Sequence, residues 1–131
     1  MTPFSTRVDL SIVMPAHNER KRLPPVLKDY MSFFSTTWPG TFELVIVVNG
    51  SNDGTEQLVK EAIHELGNSL KIMVIPERIG KGGSVMEGLR AANGKLTGFV
   101  DADGSTSAEA FADLVDHCPK SGMIIASRWL G

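Results

Sequence analysis

Two aspartates at a spacing of two are the feature of this sequence that most clearly suggests chemistry. Asp101 and Asp103 follow the apolar run 96–100 and are separated by Ala102. Side chains alternate along a strand with a period of two, so both carboxylates can face one side if the strand continues that far. Carboxylate pairs bind hard cations such as Mg²⁺ or Mn²⁺ and leave coordination positions for phosphate oxygens. The spacing predicts a divalent-cation and diphosphate site, although the same triplet also occurs in ordinary loops.

A lysine in a glycine-rich turn is the second candidate. Lys81 lies between Gly80 and the pair Gly82-Gly83, directly before a predicted helix. Glycines let backbone N–H groups approach an anion, and a helix N-terminus favours negative charge. The segment contains neither the P-loop pattern nor the glycine fingerprint of dinucleotide-binding proteins. Lys81 is therefore interpreted either as an anion-binding residue or as a solvent-exposed loop lysine.

The elements that must position these residues alternate along the chain. Five short apolar runs are typical of buried strands: 10–14, 42–48, 72–75, 96–100 and 123–126. Helical stripes lie between them, so the sequence predicts an α/β fold with a mostly parallel sheet and helices on both faces. Polar clusters follow all five strands and therefore meet at one edge of the sheet, where such folds bind ligands.

Local signals set the expected element boundaries. Pro15 is expected to end the first strand, and Pro24 lies early in the first helical stripe, where a missing N–H is tolerated. Asp53 is predicted to cap the second helix, and Thr106 the fourth. The periodicity of the fourth helix places Leu114 on its buried face.

Composition excludes several classes of function. The chain has 131 residues, 42% hydrophobic and 21% charged, which is typical of one globular domain. The 13 basic and 15 acidic residues give a net charge of −2, which excludes an overall basic surface for nucleic acid. No apolar run approaches a membrane span, no signal peptide is indicated, and a single cysteine fits a reducing compartment. We expect a cytoplasmic protein without a nucleic-acid partner.

Five segments together carry a family resemblance. They are SIVMPAHNE at 11–19, VVNGSNDGT at 47–55, GKG at 80–82, FVDAD at 99–103 and ASRW at 126–129. In this order they resemble family 2 glycosyltransferases with the GT-A fold, in particular the dolichyl-phosphate (polyprenyl-phosphate) mannose and glucose synthases. The resemblance implies a nucleotide-sugar-binding domain over residues 1–131, an inverting sugar transfer and Mg²⁺ or Mn²⁺ as cofactor.

The resemblance also implies a nucleotide site. It places His17 against the base, Glu19 near the ribose or base, and Asn49 where the family usually has an aspartate that accepts a hydrogen bond from the base ring. An amide oxygen can still accept that bond, although without the strength of a charged acceptor. The implied nucleotide-binding residues are Pro15, Ala16, His17, Glu19, Val48, Asn49, Lys81, Asp101, Ala102 and Asp103.

The metal and the phosphates have their own implied residues. Asp103 resembles the principal metal ligand that binds the diphosphate, and Ser105 lies near the same shell. Asp101 would touch the ribose or the metal-bound water. Arg128 matches an arginine that steadies a phosphate, either of the donor or of a lipid-phosphate acceptor.

The chain ends shortly after the fifth predicted strand, and we interpret it as the N-terminal part of a longer glycosyltransferase. In this family the acceptor pocket and the catalytic base lie downstream, so the base is expected beyond residue 131. The chain should then bind nucleotide but transfer little sugar alone. Membrane association would come from the downstream segment or a lipid acceptor, at the cytoplasmic face, and an exposed sheet edge could pair two copies into a homodimer.

Two other classes stay open. A sugar-phosphate nucleotidyltransferase has a related α/β plan, but segment 15–19 lacks the glycine- and arginine-rich loop expected there. A non-catalytic nucleotide-binding module would have little need for both Asp101 and Asp103. The loss of metal-dependent binding in an Asp103→Ala variant would separate the transferase from such a module.

Overall fold

The computed structural model describes residues 7–117 and the strand at 122–126. Its elements are β1 (Val8–Ala16), α1 (Leu23–Thr36), β2 (Phe42–Asn49), α2 (Thr55–Leu66), β3 (Leu70–Ile75), α3 (Gly80–Ala91), β4 (Gly94–Val100), α4 (Ala108–Asp116) and β5 (Gly122–Ala126). This order confirms the α/β fold. The prediction that Pro15 ends the first strand was wrong, because Pro15 stays in register with Val47 and β1 continues to Ala16.

The sheet is parallel, with the strand order β3-β2-β1-β4-β5. The chain moves outward from β1 through β2 to β3 and then returns to the other side of β1 to form β4. Strand order therefore reverses between β1 and β4, and such a reversal opens a crevice at the carboxyl ends of the strands.

Helices cover both faces of the sheet, as predicted, but unequally. The helices α1, α2 and α4 pack on one face, over a core that contains Tyr30, Phe34 and Phe111. The helix α3 contacts β1 and β2 on the other face. A Cβ atom at Gly88 would lie 2.5 Å from the side chain of Val13 and 3.0 Å from that of Val47. Glycine is needed at position 88 because α3 lies so close to the sheet, and this contact sets where the N-terminus of α3 lies.

The N-caps of α2 and α4 each lie one residue after the predicted cap. The carboxylate of Asp53 accepts hydrogen bonds from the backbone and hydroxyl of Thr55, but the N-cap position of α2 is Gly54. The cap of α4 is Ser107, which accepts from the backbone of Ala110 at 3.1 Å. The predicted cap, Thr106, was wrong, because α4 begins at Ala108 and Thr106 lies one residue before the N-cap position.

The prediction for Leu114 was also wrong. Its exposed fraction is 42%, whereas the buried residues of α4 are Ala108, Phe111, Ala112 and Val115. These four positions define a narrow face, and position 114 falls outside it because each residue turns the helix by about 100°. In the part of the chain that the structure describes, no helix is long and apolar enough to cross a lipid bilayer.

Candidate functional site

A cavity of about 250 Å³ opens at the carboxyl edge of the sheet, beside the point where strand order reverses. Its walls come from the segments that follow β1 to β4. The lining residues are Pro15, Ala16, His17, Glu19, Arg22, Asn49, Arg78, Gly80, Lys81, Ser84, Asp101, Ala102 and Asp103. Residues up to 88 positions apart in the sequence thus share one cavity, as expected for a parallel sheet.

Three residues of the predicted site are not among those that line the cavity. Val48 is 2% exposed, and its side chain belongs to the hydrophobic core under α1 and α2. Ser105 is exposed; its backbone N–H donates to Oδ1 of Asp103 at 2.9 Å. Arg128 lies outside the described residues. Val48 does not line the cavity because its side chain points to the face of the sheet opposite α3.

Asp101 is a buried carboxylate, and one of its two oxygens has no hydrogen-bond partner. Its exposed fraction is 6%. The ammonium group of Lys81 forms an ion pair with Oδ1, while Oδ2 is buried without a hydrogen-bond partner. An unpaired carboxylate oxygen away from water is costly, so a ligand hydroxyl or a cation is the expected partner for Oδ2.

Glu19 presents the second unpaired oxygen at this cavity. Its Oε1 forms an ion pair with Arg22 at 2.8 Å, and its Oε2 is buried without a hydrogen-bond partner. The backbone N–H of Glu19 donates to the hydroxyl of Thr55 at 3.1 Å, which fixes the turn that carries the side chain. The cavity thus offers two acceptor oxygens, one from the loop after β1 and one from the end of β4.

His17 is held in one orientation by its neighbour on β2. Its Nδ1 lies 2.8 Å from the carbonyl oxygen of Asn49. A carbonyl can only accept, so Nδ1 carries the proton and Nε2 is the acceptor, 3.4 Å from the amide nitrogen of Asn18. The ring is therefore a fixed wall of the cavity, as a stacking surface must be.

The side chain of Asn49 is turned into the protein. Asn49 is 2% exposed, although it lines the cavity. Its Nδ2 donates to the carbonyls of Ile75 and Glu77, and its Oδ1 accepts from the backbone N–H groups of Ile79 and Gly80. These four hydrogen bonds connect the end of β2 to the loop between β3 and α3.

Cationic side chains border the cavity next to the N-terminus of α3. They are Arg22, Arg78 and Lys81, and only Lys81 was singled out from sequence. Arg22 belongs to the basic run 20–22, and Arg78 lies in the polar cluster that follows β3, but no spacing pattern marks either residue. Ser84 also lines the cavity, and its hydroxyl donates to the carbonyl of Gly80 at 2.7 Å. The arrangement suits an anionic ligand.

The loop that carries Asp103 is anchored to α1. The hydroxyl of Tyr30 donates to the carbonyl of Thr106 at 2.7 Å, and the carboxylate of Asp29 accepts from the backbone of Ala108 at 2.9 Å. Burial raises the pKa of Tyr30 far above its usual range, and the charge of Asp29 adds to this effect. The neutral phenol is therefore a permanent donor at this anchor near neutral pH.

The two aspartates fit a cation that is completed by its substrate. Among the described residues, no group of three or more histidine, cysteine, aspartate or glutamate side chains could hold a metal ion. Asp101 and Asp103 supply two carboxylates at the cavity. Mg²⁺ in phosphate-binding sites typically takes one or two carboxylates and fills its other positions with phosphate oxygens and water. The residues present therefore fit a metal–diphosphate complex better than a cage made of protein ligands alone.

Comparison with known proteins identifies the family of this chain. Residues 11–129 match the family model described as glycosyl transferase family 2. The chain belongs to this family. The chain is 34% identical over 129 residues to a dolichyl-phosphate beta-glucosyltransferase of Dictyostelium discoideum, covering 91% of this chain and 39% of that protein. The enzyme of the same name from Saccharomyces cerevisiae is 34% identical over 115 residues, covering 85% of this chain and 34% of the relative.

Similar solved structures confirm the GT-A fold. The mannosyltransferase PcManGT from Pyrobaculum calidifontis, in complex with GDP-Man and Mn²⁺, superposes with a TM-score of 0.67 at 26% identity, over 85% of this chain and 32% of that one. TarS of S. aureus, residues 1–349 in complex with UDP, gives 0.62 at 28% identity, over 72% and 27%. The chain thus spans about a third of the length of the proteins that it matches.

Proposed function

We propose that this chain binds the donor of a hexosyltransferase, a nucleoside-diphosphate sugar with a uracil or guanine base, together with Mg²⁺ or Mn²⁺. The observation that carries the proposal is the cavity itself. Two unpaired carboxylate oxygens, from Glu19 and Asp101, lie in the same cavity as the cationic side chains of Arg78 and Lys81. Hydroxyl groups of a nucleoside need acceptors, and a diphosphate needs cations and free N–H groups.

Each part of the donor has a counterpart in the chain. His17 supplies a fixed ring for stacking on the base, and the oxygens of Glu19 and Asp101 accept hydrogen bonds from the base or ribose. The diphosphate would lie at the first turn of α3, which contains Lys81. Asp103, assisted by Asp101, would hold the cation, with Ser105 close to that shell through its backbone contact to Asp103. The cation would neutralise the charge of the departing diphosphate.

The transfer step belongs to the whole protein. The acceptor oxygen attacks the anomeric carbon from the face opposite the departing nucleoside diphosphate, so the configuration inverts. Relatives named dolichyl-phosphate beta-glucosyltransferase support a polyprenyl or dolichyl phosphate as acceptor. With such a lipid acceptor, the transfer would take place at the cytoplasmic face of a membrane. Arg128 would steady a phosphate of donor or acceptor, and the catalytic base would come from beyond residue 131.

Thermal denaturation tests donor binding. The chain is heated with UDP, GDP and their sugars, each with Mn²⁺, with Mg²⁺ and with EDTA. At a concentration about a hundredfold above the dissociation constant, a bound nucleotide adds roughly 2.7 kcal/mol to stability, which raises the midpoint by several degrees. We expect a rise with one of the two diphosphates that EDTA abolishes. No rise with any nucleotide would contradict the proposal.

An Asp103→Ala variant tests the metal-dependent part. The rise with Mn²⁺ should disappear if Asp103 holds the cation that binds the diphosphate, and Asp113→Ala, at an exposed position of α4, is the matched control. Unchanged binding would favour a nucleotide-binding module without turnover. We also expect little sugar transfer to polyprenyl phosphate by the 131-residue chain, and efficient transfer would show that the acceptor site is already present.

A further inference from the structure

We propose that Asn49 is a positioning residue, whose carboxamide holds the loop between β3 and α3 in place and does not read the nucleotide base. The ligand named in this inference rests on the proposed function. The hydrogen bonds that carry it are within the chain itself, so they can be tested without any ligand.

The carboxamide of Asn49 has no hydrogen-bonding capacity left. Its two N–H groups donate to the carbonyls of Ile75 at 3.0 Å and Glu77 at 2.5 Å. Its oxygen accepts from the N–H groups of Ile79 at 2.9 Å and Gly80 at 3.0 Å. A primary amide offers two donors and two acceptor lone pairs, so four bonds satisfy it completely. The orientation of the amide is unambiguous, since backbone carbonyls only accept and backbone N–H groups only donate.

A base placed in the cavity must therefore find its acceptor elsewhere. The buried acceptor oxygens without a partner that line this cavity, among the described residues, are Oε2 of Glu19 and Oδ2 of Asp101. To reach a ring N–H of uracil or guanine, Asn49 would have to release the backbone of Ile79 or Gly80. Each half-buried N–H left without its acceptor in this way would oppose binding.

The clamp formed by Asn49 locates the groups that face the diphosphate. Gly80 is the first residue of α3, and Lys81 follows it. On the other side, Arg78 packs over the left-handed residue Gly50, where a Cβ atom would lie 3.2 Å from the Cδ of Arg78. Asn49 thus connects the end of β2 to the backbone on both sides of Arg78 and to the residue before Lys81. Removing its hydrogen bonds should disturb the anion-binding wall and leave base preference unchanged.

Asparagine, unlike aspartate, can make all four bonds. In an Asn49→Asp variant, one oxygen would still accept from the N–H groups at the start of α3. The other oxygen would replace a donor and lie against the carbonyls of Ile75 and Glu77, where negative charge is repelled. The two roles of residue 49 therefore predict opposite results for this one substitution. A base reader would gain from a charged acceptor, whereas a clamp would lose two donors.

Amide hydrogen exchange tests the clamp in the absence of nucleotide. In Asn49→Ala, the amides of Ile79 and Gly80 should exchange roughly tenfold faster or more, because they lose their acceptor. The amides of β1 should keep their protection, and Asn68→Ala, an exposed asparagine before β3, should change neither. Unchanged exchange at positions 79 and 80 would overturn the inference.

Ligand titration separates positioning from base reading. We expect Asn49→Asp to weaken UDP, GDP and inorganic diphosphate together, each with Mn²⁺, by about tenfold or more, with an unchanged UDP-to-GDP ratio. Tighter nucleotide binding with unchanged inorganic diphosphate would overturn the inference, and Asn68→Asp is the matched control. If Asn49→Asp does not fold, the same titration of Asn49→Ala decides. If the unmodified chain binds no nucleotide, the proposed function fails while hydrogen exchange still decides on the clamp.

Discussion

Two buried carboxylates lie at opposite ends of the parallel strands and have different surroundings. We call the amino ends of the strands, where Glu43 lies, the closed end of the sheet, and the carboxyl ends, where Asp101 lies, the open end. Glu43, near the start of β2, is 0% exposed, and Asp101, at the end of β4, is 6% exposed. Each keeps one oxygen without a hydrogen-bond partner. Burial and an unpaired oxygen, which are often taken as signs of a functional site, therefore do not distinguish between the two residues.

The neighbours of each carboxylate make the distinction. Oε2 of Glu43 accepts from the hydroxyl of Ser11 at 2.6 Å and from the backbone of Asn93 at 2.8 Å, and Gly94 donates to the same hydroxyl at 2.7 Å. This network joins the starts of β1, β2 and β4 and is filled, since a Cβ atom at Gly94 would lie 2.5 Å from the backbone nitrogen of Ser11. Asp101 instead faces a cavity with cations beside it. A buried acid indicates binding where space and countercharge accompany it.

The largest expected effect is on stability, at the closed end of the sheet. Glu43→Ala should lower the free energy of unfolding by about 3 kcal/mol, because Ser11 and the backbone of Asn93 lose a buried acceptor. Denaturant titration measures this loss, with Glu61→Ala on the exposed face of α2 as control. Nucleotide binding by the folded fraction should be unchanged. A loss of affinity without a loss of stability would mean that the two ends of the sheet are not separate in function.

The reciprocal effect is expected at the open end. Asp101→Asn should weaken nucleotide binding by roughly 30- to 100-fold, equivalent to about 2–2.7 kcal/mol, because a charged acceptor and a cation ligand become neutral. The unfolding midpoint without nucleotide should stay within a few degrees, since the substitution removes the cost of a buried charge together with the ion pair to Lys81. Calorimetric titration with nucleotide measures this change in affinity, and Asp116→Asn at the exposed end of α4 is the control. Unchanged affinity would place Asp101 with Glu43 as a structural acid.

The open end of the sheet was predictable from sequence, and the closed end was not. Polar clusters that follow strands must meet at one end of a parallel sheet, so the place of the site could be predicted from element order. The family resemblance and this order together named nine of its thirteen lining residues. Glu43 lies inside an apolar run, and its partners Ser11 and Asn93 are 32 and 50 residues away. Only the pairing of β1 with β2 and β4 brings them together, which no local pattern encodes.

The role of Asn49 shows the same limit inside the site. Its position directly after the second predicted strand, 42–48, indicated that it would line the cavity, and it does. The direction of its side chain depends on the loop between β3 and α3, which is 26 to 31 residues further along the chain. Arg22 and Arg78 were missed for a similar reason, since a cation becomes a site residue only through the cavity that it borders.

The ion pair within the site gives a smaller effect. Lys81→Met should weaken binding of inorganic diphosphate and of nucleotide by about tenfold, because one of the cations at the phosphate end is lost. Lys95→Met, at the opposite end of the sheet, should change neither. An equal loss in both variants would mean that overall charge, rather than the position of Lys81, determines binding.

The smallest expected effect is a pH dependence of stability that arises from Tyr30, a buried residue whose hydroxyl has its hydrogen-bond partner. Tyr30 is the one tyrosine of the sequence, and burial raises its pKa far above the usual value of 10.0. Because the folded chain favours the neutral phenol, this contribution to stability is complete below pH 10 and is lost as the pH rises through the folded pKa. At half a pH unit above 10 the loss should be roughly 0.8 kcal/mol, and Tyr30→Phe should abolish it.

Tyrosinate absorbance near 295 nm follows this single residue directly. In the folded chain it should stay absent above pH 10 and appear together with the loss of helical circular dichroism. The hydroxyl of Tyr30 donates to the carbonyl of Thr106, in the loop that carries Asp103, so ionisation requires that anchor to open. Tyrosinate that forms at pH 10 without unfolding would show that the anchor opens locally, and the loop of Asp103 would then be mobile in the folded state. In that case nucleotide affinity should fall over the same pH range, whereas an anchor that opens only on global unfolding leaves affinity constant until the fold is lost.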